Sequence, residues 1–65
     1  MSQGFCYHYI KNNASSEKPL TAKNISKNCP ELGERAIVKS LKLLRENKEV
    51  KYFYKNATYF YTGVY

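Results

Sequence analysis

Three basic residues at helical spacing are the strongest candidates for binding chemistry in this chain. Arg35, Lys39 and Lys42 are separated by four and three residues. Because a helix advances about 100° per residue, their side chains share one helical face. Such a row can contact phosphates, and Arg35 can also donate to O6 and N7 of guanine. The alternative is an ordinary solvated face, since Glu34 flanks the row and Glu46 continues it.

The opposite side of the same segment is apolar, which predicts an amphipathic helix over residues 34–47. Ile37, Leu41 and Leu44 lie about half a turn away from the basic row. No glycine or proline interrupts the segment. The predicted helix should therefore pack on the core through its apolar side and present positive charge on the other side.

Residues suited to metal binding or nucleophilic catalysis are few. Cys6, His8 and Cys29 are the soft ligands of the chain, and they lack the paired Cys-x-x-Cys spacing of a zinc site. A Cys–His catalytic pair would have no identifiable group to orient it or to stabilise an oxyanion. The three glycines are isolated and form no phosphate-binding loop. We interpret the cysteines as buried thiols and expect no metal, no cofactor and no enzymatic activity.

The composition indicates one small domain with an anionic partner. A chain of 65 residues can build a single small core over residues 1–65, and its formal net charge of +6 suits a nucleic acid. General solubility is the alternative explanation of the charge. No apolar run resembles a signal peptide or a membrane span, so we expect a cytoplasmic protein. The frequent Lys, Asn and Tyr have AT-rich codons, which favours a low-GC bacterium, a phage or another mobile element.

Two further helices are predicted before the basic one. Residues 1–13 carry an apolar stripe at helical spacing, formed by Phe5, Cys6, Tyr9 and Ile10. A polar loop without periodicity follows and ends at Pro19. The first predicted helix is therefore short and packs by one stripe.

The second predicted helix covers residues 22–28. Thr21 is a good N-cap, because its hydroxyl can accept a backbone N–H of the first turn. Pro30 disfavours helical geometry at the residue before it, which ends the helix near Asn28. Leu20, a lone apolar residue, predicts a minimal strand that pairs with a later hairpin.

The last part of the chain predicts a β-hairpin. Residues 50–54 and 58–61 are β-branched and aromatic, and residues 55–57 separate them. By the two-residue period of a strand, Val50, Tyr52 and Tyr54 share one face of the first strand, and Tyr59 and Tyr61 share one face of the second. We expect these two faces to cover the first and third helices, with Tyr52, Tyr59 and Tyr61 in the core. Phe53 and Phe60 then form an exposed aromatic patch, which is a candidate protein–protein surface.

The order helix, helix, turn, basic helix and hairpin resembles a winged helix-turn-helix domain. The resemblance covers about residues 5–62, and it is carried by residues 21–28, by the apolar positions of the third helix with Val50, and by residues 57–61. The short chain and its Ala-Thr-Tyr-Phe-Tyr segment are similar to the small regulators of fimbrial operons. The resemblance implies an α+β fold that is mainly α, with three helices, a C-terminal two-stranded hairpin and a minimal third strand at Leu20.

In that family the exposed face of the third helix enters the major groove of duplex DNA, and the wing touches the backbone or the minor groove. Transferred residue by residue, the resemblance implies that Arg35, Lys39 and Lys42 face the groove. It places Lys55 and Asn56 at the tip of the wing.

The second helix of the motif crosses the DNA backbone, so Thr21 and Lys23 become candidates for phosphate contacts. The sequence departs from the family in two places. The turn before the third helix is one residue longer than usual. Lys48 and Glu49 replace the glycine that often follows this helix, which predicts that the helix frays or runs on into the wing.

Two functions of different classes are open on the sequence alone. The first is a small DNA-binding regulator or architectural protein. The second is a winged helix that serves as an inhibitor or adaptor and binds a protein through its aromatic hairpin. A binder of RNA or single strands is a third alternative. A basic patch around the third helix favours DNA, whereas an exposed aromatic sheet with scattered charge favours a protein partner.

Overall fold

The computed structural model describes residues 2–65 and confirms the predicted α+β, mainly helical architecture. Three helices precede one antiparallel hairpin. Met1, with which the first predicted helix began, lies outside the described residues. The elements are α1 (Ser2–Asn13), α2 (Ala22–Asn28), a 3₁₀ turn (Pro30–Leu32), α3 (Glu34–Glu46), β1 (Val50–Lys55) and β2 (Thr58–Val64).

The core lies between the three helices and the base of the hairpin. α3 packs on α1 and α2, while α1 and α3 also contact the strands. Each α-helix and each strand contributes at least one buried side chain. The stripe predicted for α1 is buried at only two of its four positions, since Phe5 is exposed and Tyr9 half-buried. The buried cluster consists of Cys6, Ile10, Ile25, Ile37, Leu41, Leu44, Val50 and Tyr61.

The start of α2 is fixed by a reciprocal cap. The Thr21 hydroxyl accepts the backbone N–H of Asn24 at 3.2 Å, and the Asn24 side chain accepts the backbone N–H of Thr21 at 3.1 Å. This capping box confirms the predicted N-cap and satisfies two donors that a helix start leaves open. The helix ends at Asn28, as the following proline predicts.

A five-residue connection separates α2 from α3. Its central part, Pro30–Leu32, forms a 3₁₀ turn, and Leu32 packs against the core. Gly33 then adopts φ +76°, a left-handed conformation that costs a glycine little. The connection therefore reverses the chain without leaving Leu32 in solvent.

The prediction that α3 frays or runs on into the hairpin is wrong. The N–H of Lys48 donates to the carbonyl of Arg45, and the N–H of Glu49 donates to the carbonyl of Leu44, both at 3.0 Å. These are the two bonds of a Schellman motif, with Lys48 at φ +56° in the position where glycine is usual. α3 therefore ends at Glu46. These two hydrogen bonds pair the carbonyls of its last turn, although Lys48 and not a glycine takes the left-handed position.

The hairpin is longer and more irregular than predicted. Its turn contains two residues, Asn56 and Ala57, both at positive φ, so Lys55 belongs to β1. A β-bulge opposite the step from Lys51 to Tyr52 brings Val64 opposite Val50, which extends β2 three residues beyond the predicted end at Tyr61.

The predicted minimal strand at Leu20 is confirmed. Leu20 and Tyr61 exchange two backbone hydrogen bonds, of 2.9 and 2.7 Å, and form an isolated antiparallel bridge. The segment before α2 is thereby joined to the hairpin. No helix within residues 2–65 has the length and apolar character that crossing a membrane requires.

Candidate nucleic-acid interface

The outer side of α3 carries the predicted basic row. The side chains of Arg35, Lys39 and Lys42 are exposed, and together with Glu34 and Val38 they line a shallow, open concavity. We call this surface the basic face. Within residues 2–65 none of the three cations has an ion pair or a hydrogen bond through its side chain. Their charges are therefore available to an external anion.

A second concavity adjoins the basic face. It has a volume of about 490 Å³ and lies between the start of α2, α3 and the tip of the hairpin. We call it the wing cleft. α2 contributes Thr21 and Lys23, the hairpin contributes Thr58 and Tyr59, and Val38 of α3 lines both concavities. The fold thus brings two of the predicted contact residues, Thr21 and Lys23, beside the helix that carries the basic row.

Thr21 can serve the cap and an external ligand at the same time. Its oxygen accepts the N–H of Asn24, and this bond uses only an acceptor site of the hydroxyl. The hydroxyl proton stays free to donate to a phosphate oxygen. Lys23 is exposed on the following turn and adds a positive charge to the same wall of the cleft.

The other two predicted contacts are not brought into the cleft. Lys55 and Asn56 are exposed at the hairpin tip, whereas Ala57 and Thr58 are the tip residues that line the cleft. The two-residue turn places Lys55 at the end of β1, where it pairs with Thr58. Lys55 and Asn56 can therefore reach only a ligand that extends past the tip.

Arg45 is a residue of the site that the sequence reasoning missed. Its Nη1 donates a hydrogen bond of 2.5 Å to the hydroxyl of Tyr61, and its guanidinium carbon lies 3.7 Å from the ring centroid of Tyr59. The only sequence signal was its position on the predicted helix, at the border between the apolar stripe and the basic row. Arg45 lines the wing cleft but is held by the hairpin.

The environment of Tyr61 also changes its acid–base behaviour. Burial raises the pKa of the Tyr61 hydroxyl above its usual value of 10.0, and the hydrogen bond and charge of Arg45 oppose this shift. Since the raised pKa favours the neutral phenol, Tyr61 stays protonated at neutral pH and can accept from Arg45. The contact between hairpin and α3 is thus a charge-assisted hydrogen bond.

The predicted burial of this hairpin face is confirmed for Val50 and Tyr61 and is wrong for Tyr52, Tyr54 and Tyr59. Tyr61 is buried, whereas Tyr52 and Tyr59 are 45% and 37% exposed. Only the first residue of β1, Val50, is buried, because the hairpin projects beyond the helices that would cover it. Tyr52 and Tyr59 instead pack on each other, with ring centroids 5.7 Å apart, and Tyr59 also packs against Arg45.

The opposite hairpin face carries the predicted phenylalanine patch. Phe53 and Phe60 are cross-strand neighbours whose rings stack with centroids 5.1 Å apart and planes inclined by 13°. Phe53 is exposed and Phe60 is half-buried. Lys51 and Lys55 lie two residues away on either side of Phe53, so the patch is bordered by positive charge.

The two cysteines and the histidine lie in different environments. Cys6 and Cys29 are buried free thiols, and burial raises the pKa of both above 9.0. A raised pKa disfavours the thiolate that metal binding or nucleophilic attack requires. His8 is exposed and packs edge-on against Tyr7. Residues 2–65 contain no cluster of three His, Cys, Asp or Glu side chains able to hold a metal ion.

The two concavities adjoin at Glu34 and Val38, and together they form a continuous surface of cations, hydroxyl groups, apolar side chains and one carboxylate. Such groups can bind and orient an extended polyanion. Comparison of the chain with protein-family models, with curated proteins and with solved structures finds no match to any of them.

Proposed function

We propose that the chain is a winged-helix protein that binds duplex DNA and acts as a small transcriptional regulator or architectural factor. In this proposal α3 enters the major groove, which is wide enough for a helix, and its basic face contacts bases and phosphates. The start of α2 and the hairpin contact the flanking backbone. No enzymatic step, metal or cofactor is part of the proposal.

One observation carries the proposal: the basic row of α3 is exposed, free of acidic partners and continuous with the wing cleft. These three cations are exposed and, within residues 2–65, unpaired in the free protein, so no ion pair has to break before they bind phosphates. Their contact with phosphates releases counterions from the DNA, which favours binding. Thr21 and Lys23 extend the same positively charged surface across the cleft. The net charge of +6 adds long-range attraction to any polyanion.

The test is a salt-dependent titration of a labelled mixed-sequence duplex, followed by fluorescence anisotropy. The double reversal Lys39→Glu with Lys42→Glu should weaken binding at least tenfold at about 0.1 M salt and lower the salt slope by about 2, since each phosphate contact contributes roughly 0.9. Circular dichroism should be unchanged, because both side chains are exposed.

A second double reversal provides the matched control. Lys11→Glu with Lys18→Glu changes the net charge by the same amount, but neither residue lines the basic face or the wing cleft. It should reduce affinity only through the weaker overall field. Equal losses in the two double variants would mean that charge acts nonspecifically, and the assignment of α3 to the groove would be wrong.

A protein-binding function is the second candidate, and the stacked pair Phe53 and Phe60 favours it. This stacked pair, with Phe53 exposed and Phe60 half-buried, supplies apolar contact area of the kind that binds proteins tightly. Phe53→Ser with Phe60→Ser should leave DNA affinity within a few-fold if the chain is a DNA binder. Loss of a specific protein from host-lysate pull-downs in this variant, with no DNA binding by the parent, would favour the second candidate.

A further inference from the structure

Val38 is the apolar residue at the centre of the proposed interface. Its side chain is 47% exposed in the middle of α3. Among residues 2–65, Val38 and Glu34 are the two that line both the basic face and the wing cleft. A duplex that contacts both concavities therefore lies close to Val38 and Glu34, and of these two only Val38 is apolar.

The residues around Val38 are either bonded within the protein or able to reach phosphates, so Val38 has a different kind of contact to offer. Arg45, two helical turns further on, already donates to Tyr61 and lies over Tyr59, so it is held away from an incoming base. Arg35 and Lys42 are neighbours of Val38 at positions i−3 and i+4, and their long side chains can reach phosphates on either side of it. Val38 itself can offer only apolar contact.

We propose that Val38 contacts the C5-methyl group of thymine and makes the protein prefer sites that place an A·T pair there; this inference rests on the proposed binding of duplex DNA. The methyl group of thymine is the one apolar group that an unmodified base pair presents in the major groove. A cytosine at the same position presents an amino group, which loses its water against the isopropyl group of Val38 and gains no partner.

The stiffness of valine makes it suited to this contact. A β-branched side chain in a helix has one strongly preferred rotamer, so little conformational freedom is lost when a methyl group packs against it. The contact is therefore formed on a rigid element, whereas the surrounding lysines lose rotamer entropy on binding. Val38 should contribute to base preference more than its small area indicates.

The experiment compares two duplexes that differ only in the methyl group. One is an alternating dA–dT duplex, and the other has deoxyuridine in place of every thymidine. The parent protein should bind the thymine duplex about fourfold more tightly, because burial of one methyl-sized group changes affinity by about this factor. Val38→Ala, which keeps only the Cβ methyl, should reduce this preference and should keep the circular dichroism of the parent.

Leu43→Ala is the matched control variant. Leu43 is also an exposed apolar residue of α3, 40% accessible, but it lies on the far flank of the basic row and lines neither concavity. This variant should keep the fourfold preference for thymine. A preference that is lost equally in both variants would assign the effect to general helix stability and not to Val38.

The remaining outcomes separate this inference from the proposed function. Equal binding of both duplexes by the parent would overturn the contact between Val38 and thymine, while duplex binding itself would stand. A thymine preference that is as large in Val38→Ala as in the parent would assign the methyl contact to another residue. Absence of binding to either duplex would overturn the proposed function and, with it, the inference.

Discussion

Arg45 of α3 donates a hydrogen bond to the hydroxyl of Tyr61 in β2, and these two side chains connect the basic helix to the hairpin. Tyr61 is buried in the core and also exchanges two backbone hydrogen bonds with Leu20. One residue of the hairpin thus joins α3, the segment before α2 and the core. The geometry of the wing cleft depends on this junction.

We expect Arg45→Ala to lower the free energy of unfolding by about 1–3 kcal/mol, because it leaves the buried Tyr61 hydroxyl without its partner and removes the cation over Tyr59. Urea unfolding followed by tyrosine fluorescence measures this change. Arg35→Ala is the control, since an exposed residue of the same helix should change stability by no more than about 0.5 kcal/mol. Equal effects of the two substitutions would show that the Arg45 contact does not stabilise the fold.

Leu41 is fully buried at the centre of the core. We expect Leu41→Ala to cost about 2–5 kcal/mol, the range for a truncated core leucine, and in so small a domain this can abolish folding. Leu43→Ala removes the same atoms from an exposed position of α3 and should melt near the parent temperature. A cooperative melt of Leu41→Ala at the parent temperature would contradict the observed helix orientation.

Lys48 adopts a left-handed backbone conformation at the end of α3, which costs a residue with a Cβ atom about 1 kcal/mol relative to glycine. We therefore expect Lys48→Gly to raise the free energy of unfolding by about 1 kcal/mol. Lys48→Ala removes the charge but keeps the Cβ atom, so it should leave stability nearly unchanged. A gain of equal size in both variants would assign the effect to charge.

Stability should depend on pH through Tyr61. Burial raises the pKa of this hydroxyl above 10.0 in the folded protein, so the folded state holds the proton more tightly than the unfolded state. The associated stabilisation is complete below pH 10 and is lost as the pH rises through the folded pKa. The urea midpoint should consequently fall more steeply above pH 10 in the parent than in Tyr61→Phe.

Tyr54→Phe is the matched control for that titration, because Tyr54 is an exposed tyrosine of the same hairpin. It should keep the alkaline decrease of the parent. The buried cysteines, whose pKa values are also raised, contribute equally in all three proteins and cancel in the comparison. The same pH profile in Tyr61→Phe and Tyr54→Phe would contradict the assignment.

The sequence by itself determined the features that depend on neighbouring residues. The cap at Thr21, the stop imposed by Pro30 and the phase of Ile37, Leu41 and Leu44 in α3 follow from local hydrogen bonding and from the helical period. The exposure of Arg35 follows from the same period. What such residues bind remains a prediction, since exposure alone does not identify a ligand.

The tertiary structure decided which faces are covered. The two-residue period correctly put Tyr52, Tyr59 and Tyr61 on one face, but only Tyr61 lies where α1 and α3 reach the hairpin. Arg45 lies in the site because the hairpin folds back over α3 and places the Tyr61 hydroxyl within hydrogen-bond distance. The position of Val38 between two concavities likewise needs three elements that are distant in sequence. Spacing along the chain sets the direction of a side chain within its element, whereas burial depends on how far other elements extend, and that is a non-local property.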